Sequence, residues 1–328
     1  MDNSVNILIL SCGTRNLLVR YFKEKENGIG KVAGTDCSPH APALYETDAH
    51  YIVPRMTAPG YLDTILDICR RENIDAVLPL QEDELYLIAA HRRLFTDAGI
   101  TPIVSDASSV DLCRDKYAFY RFLKQHDLPA VTSCISFEAF QKESEQGHMS
   151  LPVFIKPNRG CGSIGIQKID RPDLLEVLCR IQEAQEDSYI IQNYADGEEF
   201  GADIYVDMLT GKPVSIFVKK KLRMRAGETE KSVSFHDEKL FELIEKTLEP
   251  LSLAGPIDMD IFRVNGQYYI SEINPRFGGG YPHAYNCGID FPKMIAKNIL
   301  GKENKRQIGN YEAGVCMLKY TDLMMLRE

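Results

Sequence analysis

The sequence predicts an α/β protein in which a parallel sheet covered by helices is followed by a second part rich in β-hairpins. Three observations lead there. Strand-like and helix-like segments alternate through roughly the first hundred residues, the pattern of a helix-covered parallel sheet. Two hairpin-like stretches follow, one glycine-rich over Leu151–Ile169 and one acidic over Ile257–Arg276. The length of 328 residues amounts to about two domains at ~150 residues each, enough to bury a core without disulfides or metals.

Val5–Leu10 is a short apolar run entering Ser11-Cys12-Gly13-Thr14, so it reads as a buried strand, a turn, and then a helix over roughly Asn16–Lys25. A second strand follows at Lys31–Asp36. Tyr61–Glu72 sets Leu62, Ile65, Leu66 and Cys69 at helical spacing. Ala76–Leu80 then reads as a strand, Asp83–His91 as a helix and Thr101–Val104 as a strand. A dinucleotide site after the first strand would need Gly-x-Gly-x-x-Gly, and only Gly13 is present. Ligands of such sheets gather beyond the carboxyl ends of the strands, where Gln81-Glu82-Asp83-Glu84 follows Leu80. Those acids either orient a substrate amine or begin a helix, where negative charge is favourable.

Val110–Gln125 is expected to be one helix, with Leu112, Tyr117, Phe119, Phe122 and Leu123 as its apolar positions. In Leu151–Ile169 a strand carrying Lys156 runs into a loop with Gly160, Gly162, Ser163 and Gly165, and a second strand leaves it. Such a loop either turns N–H groups toward phosphate oxygens beside Lys156 or is a flexible hairpin turn. It is no Walker loop, because Gly-Lys-Ser/Thr is missing. Tyr189–Tyr194 is β-prone, and Glu199–Val206 alternates so that Glu199 and Asp203 share a face. Glu199 there either accepts from ribose hydroxyls or faces solvent. Lys219–Arg225 gathers cations beside a loop, either around an anion or as a solvated edge.

Composition removes several function classes. Lys and Arg number 38 against 47 Asp and Glu, a net charge of −9, which argues against a nucleic-acid surface. The nine cysteines contain no Cys-x-x-Cys pair, so reduced thiols are expected rather than zinc or redox chemistry. Apolar runs such as Ile7–Leu10 and Val153–Ile155 fall far short of the ~20 residues that span a bilayer, and the start lacks a basic signal segment. A cytoplasmic protein with no membrane partner is expected.

The acidic hairpin carries the sharpest signal. In IDMDIFRVNGQYYISEINPR, Asp258 and Asp260 alternate with apolar residues on one strand, and Glu272 and Asn274 do so on the other. A two-residue turn at Asn265-Gly266 with regular pairing would set Asp260 opposite Ser271. A three-residue loop, Asn265 to Gln267, pairs Asp260 with Glu272 and Asp258 with Asn274, so oxygen ligands converge. Facing carboxylates repel unless a cation lies between them, and an all-oxygen set suits Mg²⁺ with substrate phosphate completing the shell. The alternative is a salt-bridged hairpin using Arg263 or Arg276. Arg276 is placed to clamp a phosphate, and Phe277-Gly278-Gly279-Gly280 to supply a loop over a substrate.

The order Asp115-Lys116, VFIKPNRGCGSIGI, IIQNYADGEEF, IDMDIF and ISEINPRFGGG resembles the ATP-grasp superfamily of carboxylate–amine ligases, in particular carbamoyl-phosphate-synthetase-like proteins. The resemblance implies a Rossmann-like pre-ATP-grasp domain over 1–105 and an ATP-grasp α+β domain over 106–328, with a nucleotide-binding lid at about 130–190 and a metal-binding core at about 191–328. It implies that Lys116 and Lys156 contact nucleotide phosphates under a mobile loop, Gly160–Gly165. It also implies that Gln192, Asn193, Tyr194 and Ala195 line the adenine hinge and that Glu199 holds the ribose. Asp260, Glu272 and Asn274 would bind Mg²⁺, as two ions or with Mn²⁺ as a substitute, and Arg276 would stand beside the transferred phosphate. Asn193 departs from the Glu that related sequences often carry, and His283 receives no role.

The reaction so implied is ATP-dependent: a carboxylate becomes an acylphosphate and joins an amine, with Lys156 and Arg276 as catalytic groups and the loops near Gly160 and Gly278 excluding water. Two alternatives stand beside it, activation of bicarbonate or carbamate and a non-catalytic ATP-binding module. The expected partners are small-molecule carboxylates and amines, with a homodimer as the expected assembly.

Overall fold

The computed structural model describes residues 4–160, 165–185 and 188–326; Gly162 and Ser163 lie outside the described residues. The first part alternates as β1 (Val5–Leu10), α1 (Asn16–Phe22), β2 (Ile29–Asp36), β3 (Ala49–Ile52), α2 (Tyr61–Glu72), β4 (Ala76–Pro79), α3 (Glu82–Ala90), α4 (Arg92–Thr96) and β5 (Thr101–Pro102). Its strands form a five-stranded parallel sheet in the order β3-β2-β1-β4-β5. β1 shows why a continuous apolar run belongs at the centre: Ile7 and Ile9 pack with Leu18, Val19 and Phe22 on one face, and Leu8 and Leu10 with Ile65, Cys69 and Ile88 on the other.

Two helices connect this sheet to the rest, α5 (Ala107–Arg114) and α6 (Lys116–Gln125). The single helix expected over Val110–Gln125 is therefore broken. Asp115 leaves the helical conformation (φ −95°, ψ 98°), and its Oδ1 accepts the Ala118 N–H at 2.8 Å, capping α6. The predicted helix at Asn16–Lys25 ends at Phe22, and the short edge strand β3 was not predicted.

A four-stranded antiparallel sheet follows, ordered β6-β9-β7-β8. It comprises β6 (Ser133–Cys134), β7 (Val153–Pro157), β8 (Gln167–Ile169) and β9 (Tyr189–Asn193), and it packs with α7 (Phe137–Glu145) and α8 (Pro172–Ala184). The remaining strands are β10 (Glu198–Val206), β11 (Pro213–Arg225), β12 (Glu228–Phe235), β13 (Gly255–Val264), β14 (Gln267–Asn274) and β15 (Cys316–Leu318). They form an antiparallel six-stranded sheet, β14-β13-β10-β11-β12-β15. α9 (Glu238–Leu248), α10 (Tyr281–Asn286) and α11 (Phe291–Ile299) accompany it.

The two faces of this larger sheet differ. Phe200, Ala202, Ile204, Ile216, Met259 and Ile261 bury one face against α6 and α9. Tyr205 and Phe217 on the other join a core that also holds residues of β1, α1, α10 and α11, so the parallel sheet packs beside the polar half of that face. Among the described residues every cysteine is free, and no helix is long and apolar enough to cross a membrane.

Candidate functional site

The alternation of β10 sends Glu199, Gly201, Asp203 and Tyr205 to one face. Antiparallel pairing aligns them with β11, Gly201 opposite Lys219 and Asp203 opposite Phe217, and with β13, Gly201 opposite Asp260 and Asp203 opposite Asp258. β14 extends both rows, with Glu272 opposite Asp260 and Asn274 opposite Asp258. One polar stripe therefore crosses the sheet through Asn274, Glu272, Asp258, Asp260, Asp203 and Lys219. Gly201 leaves room for two lysine stems, since a Cβ there would stand 3.1 Å from Lys221 Cε and 3.3 Å from Lys219 Cε.

The acidic pairing arises by a different device from the one expected. The turn has two residues: Val264 pairs with Gln267, and Asn265 (φ 51°) and Gly266 (φ 79°) are both left-handed, as a tight hairpin turn requires. A β-bulge then corrects the register. Ile261 pairs with Ile270 and Asp260 with Glu272, so Ser271 is the extra residue.

The cation run around Lys219 is not an open anion site. Lys219 pairs with Asp203, both at most 2% exposed; burial pushes the Asp203 carboxyl up against the pull of Lys219 and Lys221. Lys220 pairs with Glu198 at 2.5 Å. Lys221 Nζ is 2.6 Å from Asp260 Oδ1 and 2.8 Å from Glu199 Oε1. Although burial opposes its charge, Asp260, Glu199 and Asp258 raise the Lys221 ammonium above its ordinary range. Arg223 and Arg225 are exposed beside Glu230. Neighbouring strands supply a carboxylate for each cation, which the run alone does not reveal.

Across from the stripe, β7 presents Lys156. Its Nζ donates to Gln192 Oε1 at 2.9 Å, and Gln192 Nε2 donates to Ser133 Oγ at 3.1 Å, so Gln192 is turned inward. Burial lowers the Lys156 ammonium most; Glu272 and Asp260 oppose this and Lys116 adds to it, so Lys156 lies within the field of the acidic pair. Lys116, at the start of α6, donates from Nζ to the Gly160 carbonyl at 2.7 Å, and Asn158 locks the loop base by accepting the Tyr117 N–H at 2.9 Å. Gly165 needs its glycine: its φ is 75°, and a Cβ would stand 3.2 Å from Pro157.

The hinge residues divide. Asn193 spends its carboxamide on the His148 carbonyl (2.9 Å) and the Ser150 N–H (3.3 Å), away from the stripe. Tyr194 lies 5.5 Å from Phe154, with Lys168 Nζ 3.7 Å above its ring, and Ala195 is half-buried.

Arg276 donates from Nη1 to the Phe277 carbonyl at 2.9 Å and stands 3.9 Å from Asp258 Oδ2. Gly278–Gly280 is a packed platform, correcting the expectation of a loop free to close. A Cβ would stand 2.4 Å from Asp258 Oδ1 at Gly278, 2.6 Å from Glu228 Cδ at Gly279 and 2.5 Å from Lys219 Cε at Gly280. These glycines are required by close approach, and their backbone dihedrals are ordinary.

Several other candidates are structural. Gln81 Oε1 caps α3 by accepting the Glu84 N–H at 3.0 Å, and Glu82 and Asp83 flank Arg114, so this acidic run begins a helix. The turn at Gly13 is closed by Asp36, whose carboxylate accepts from the N–H groups of Gly13 and Ser38, each 2.9 Å away. His283 is buried between Ser232 Oγ (2.7 Å) and the Val315 carbonyl (3.0 Å). Burial and Lys219 push its imidazole down to about 4, so it stays neutral and ties α10 to the strand edge. Sequence reasoning missed Arg15, Glu228 and Lys319. Their only signal was the position of Arg15, just beyond the carboxyl end of β1.

Comparison with known proteins fits this geometry. Residues 7–103 match the model for the PylC-like N-terminal domain, and residues 113–280, about half of the chain, match that for the ATP-grasp domain. The chain belongs to the ATP-grasp family. It is 23% identical over 275 residues to the carbamoyl phosphate synthase arginine-specific large chain of Geobacillus stearothermophilus, an alignment covering 81% of this chain and 26% of that one. It thus spans about a quarter of such large chains. It is 25% identical over 237 residues to the D-alanine–D-alanine ligase of Thermotoga petrophila, covering 66% and 76%. Among solved structures, N5-carboxyaminoimidazole synthetase from Staphylococcus aureus superposes with a TM-score of 0.71 at 15% identity, covering 92% of this chain and 78% of that one. L-amino acid ligase from Bacillus licheniformis does so with 0.70 at 17%, covering 93% and 76%. These likenesses establish the shared fold.

For an ATP-grasp protein the acidic stripe has the right chemistry to hold a divalent cation. Asp260, Glu272 and Asn274 offer oxygen donors only. Burial and the neighbouring Asp260 push the Asp258 carboxyl up to about 6, against the pull of Lys219 and Arg276. Among the described residues no three His, Cys, Asp or Glu side chains form a metal cluster by themselves, so two acids and one amide would draw further ligands from phosphate and water.

Proposed function

We propose that this ATP-grasp protein is an ATP-dependent carboxylate–amine ligase. The single observation that carries this is the pairing of Asp260 with Glu272 and of Asp258 with Asn274 across the hairpin; Lys156 lies within the field of the acids, and Arg276 stands 3.9 Å from Asp258.

In the proposed reaction a carboxylate oxygen attacks the γ-phosphorus of ATP. The bond from that phosphorus to the β–γ bridging oxygen breaks, and its electron pair leaves on ADP. The amine then attacks the acyl carbon, phosphate departs, and the amine nitrogen loses a proton. Asp260, Glu272 and Asn274 would hold Mg²⁺, as two ions in the full reading; bound there, the metal neutralises charge on the phosphate oxygens. Lys156 donates to phosphate, with Lys116 held at the Gly160 carbonyl, and Arg276 stands beside the transferring group as a fixed positive charge. Glu199, steadied by Lys221, is assigned to the ribose, and the Gln192–Ala195 backbone to the adenine. Catalysis would then come mostly from positioning and fixed charge. The Gly278–Gly280 platform supports Asp258, and exclusion of water falls to the loop at Gly160–Gly165.

The test is ADP release by purified protein with Mg·ATP, with and without pooled carboxylates and amines. Release that depends on both substrates supports the proposal, whereas phosphate release indifferent to carboxylate contradicts it. Glu272→Ala is expected to abolish Mg²⁺-dependent turnover while the fold survives, because it relieves a repulsive pair. Undiminished turnover in that variant would remove the metal assignment.

A further inference from the structure

Arg15 lies in the turn after β1, on the parallel sheet, yet its guanidinium reaches the six-stranded sheet, where Nη1 stands 3.0 Å from Glu228 Oε1. Glu228 is itself clasped by Lys319 Nζ at 3.1 Å, and the same ammonium donates to the Gly279 carbonyl at 2.6 Å. Burial pushes the Glu228 carboxyl up, but Arg15, Lys319 and Arg276 together hold it below its ordinary range. Arg15 and Arg276 thus meet the same Gly278–Gly280 platform: Glu228, which holds Arg15, packs on Gly279, and Asp258, 3.9 Å from Arg276, packs on Gly278. Burial lowers the Arg15 guanidinium most, Glu228 opposes that, and Arg276 adds to the lowering.

Two like charges from separate sheets therefore stand along one platform at the edge of the acidic stripe, with side chains only 28% and 14% exposed. Among the described residues Arg15 meets one carboxylate through Nη1, and Arg276 spends Nη1 on a carbonyl. Among the described residues the rest of each planar fork has no hydrogen-bond partner. Fork donors of one charge along one platform suit an anion with two oxygens, which bridges them and relieves their repulsion.

We propose that Arg15 is a specificity residue that holds the substrate carboxylate against Arg276, so that the parallel sheet supplies one half of the acid's anchor and the six-stranded sheet the other. The substrate class is an organic acid, presented to the phosphoryl-transfer site with its carboxylate between two guanidiniums. This rests on the ligase reading above and deepens it.

The experiment uses the full chain as wild type, Arg15→Gln, Arg15→Lys and Glu228→Gln. Mg·ATP binding is measured by calorimetry, and ADP release is followed against concentration for proteinogenic amino acids, acetate, succinate and bicarbonate. In Arg15→Gln the KM of the stimulating acid is expected to rise about ten- to a hundredfold, with kcat and the Mg·ATP Kd within about threefold. Arg15→Lys keeps the charge but not the fork and should recover part of that loss; it also gives the reading if the Gln variant does not fold. Glu228→Gln leaves the Arg15 charge in place and should shift the KM less than Arg15→Gln.

Equal shifts in Arg15→Gln and Glu228→Gln would make Arg15 only a partner of Glu228 and overturn the proposal. So would an unchanged KM. Wild-type protein that binds Mg·ATP while no acid in the panel speeds ADP release, or that fails to bind Mg·ATP at all, would instead overturn the ligase reading beneath it.

Discussion

Replacing Glu84 by Gln should change how stability depends on pH, and the size follows from its surroundings. Glu84 is 1% exposed, and a carboxyl oxygen accepts from the Tyr61 hydroxyl. Burial pushes the carboxyl from its ordinary 4.5 up to about 7, with the Tyr61 and Ser11 hydroxyls pulling the other way and Asp36 adding to the rise. The folded state thus holds a proton that the unfolded state has released between those values. Stability is therefore fullest below about pH 4.5 and declines as pH rises through 7, by about 3 kcal/mol in all. Gln has a similar shape and no charge to bury. The variant should match wild type near pH 5 and exceed it by up to about 3 kcal/mol at pH 8, less the value of any altered hydrogen bond to Tyr61. Urea unfolding followed by circular dichroism at pH 5, 6, 7 and 8 measures the difference. A constant offset between the two proteins across that range would refute the reasoning, because it would mean that Glu84 does not titrate differently on folding.

Lys156→Ala is expected to weaken Mg·ATP binding far more than adenosine binding, since the ammonium lies within the field of the acidic pair; equal losses in calorimetry would misplace it. Gly197→Ala should destabilise by about 1–3 kcal/mol, because a Cβ there would stand 2.2 Å from the Arg263 carbonyl oxygen. An unchanged melting temperature would count against that packing. His283→Asn is expected to lower the melting temperature by breaking the Ser232 and Val315 contacts, without adding a new pH dependence between pH 6 and 8, since the imidazole stands at about 4.

Local pattern and tertiary context divide the sequence's legibility. α2 begins and ends where its spacing predicts, at Tyr61 and Glu72, because one apolar stripe per turn already states which face is buried. β1 and β4 were legible for the same reason, since continuous apolar runs have no place at a solvated edge. The break at Asp115 was missed because a capping residue inside an apolar period looks like one more polar position. The lysines of β11 were misjudged because their partners, Asp203, Glu198, Glu199 and Asp260, belong to other strands or lie in a different row. The contact of Arg15 with Glu228 was invisible because nothing local says that this turn will meet a residue more than two hundred positions downstream.

The acidic hairpin shows how a correct pairing can be inferred through an incorrect turn. Asn265-Gly266 favours a two-residue connection, since both residues tolerate positive φ, whereas convergence of Asp260, Glu272 and Asn274 needs one more residue in the register. Placing that residue in the loop satisfied the second demand at the expense of the first. The chain meets both by placing it at Ser271. A bulge leaves little mark in sequence, because it changes which residues face one another without demanding a special residue type. The chemistry was nevertheless recoverable, because in the regular register Glu272 would lie beside Met259 on the apolar face, and an unpaired carboxylate is too costly to bury there. The constraint that fixed the pairing was thus the energetics of the acid, and the turn accommodated it.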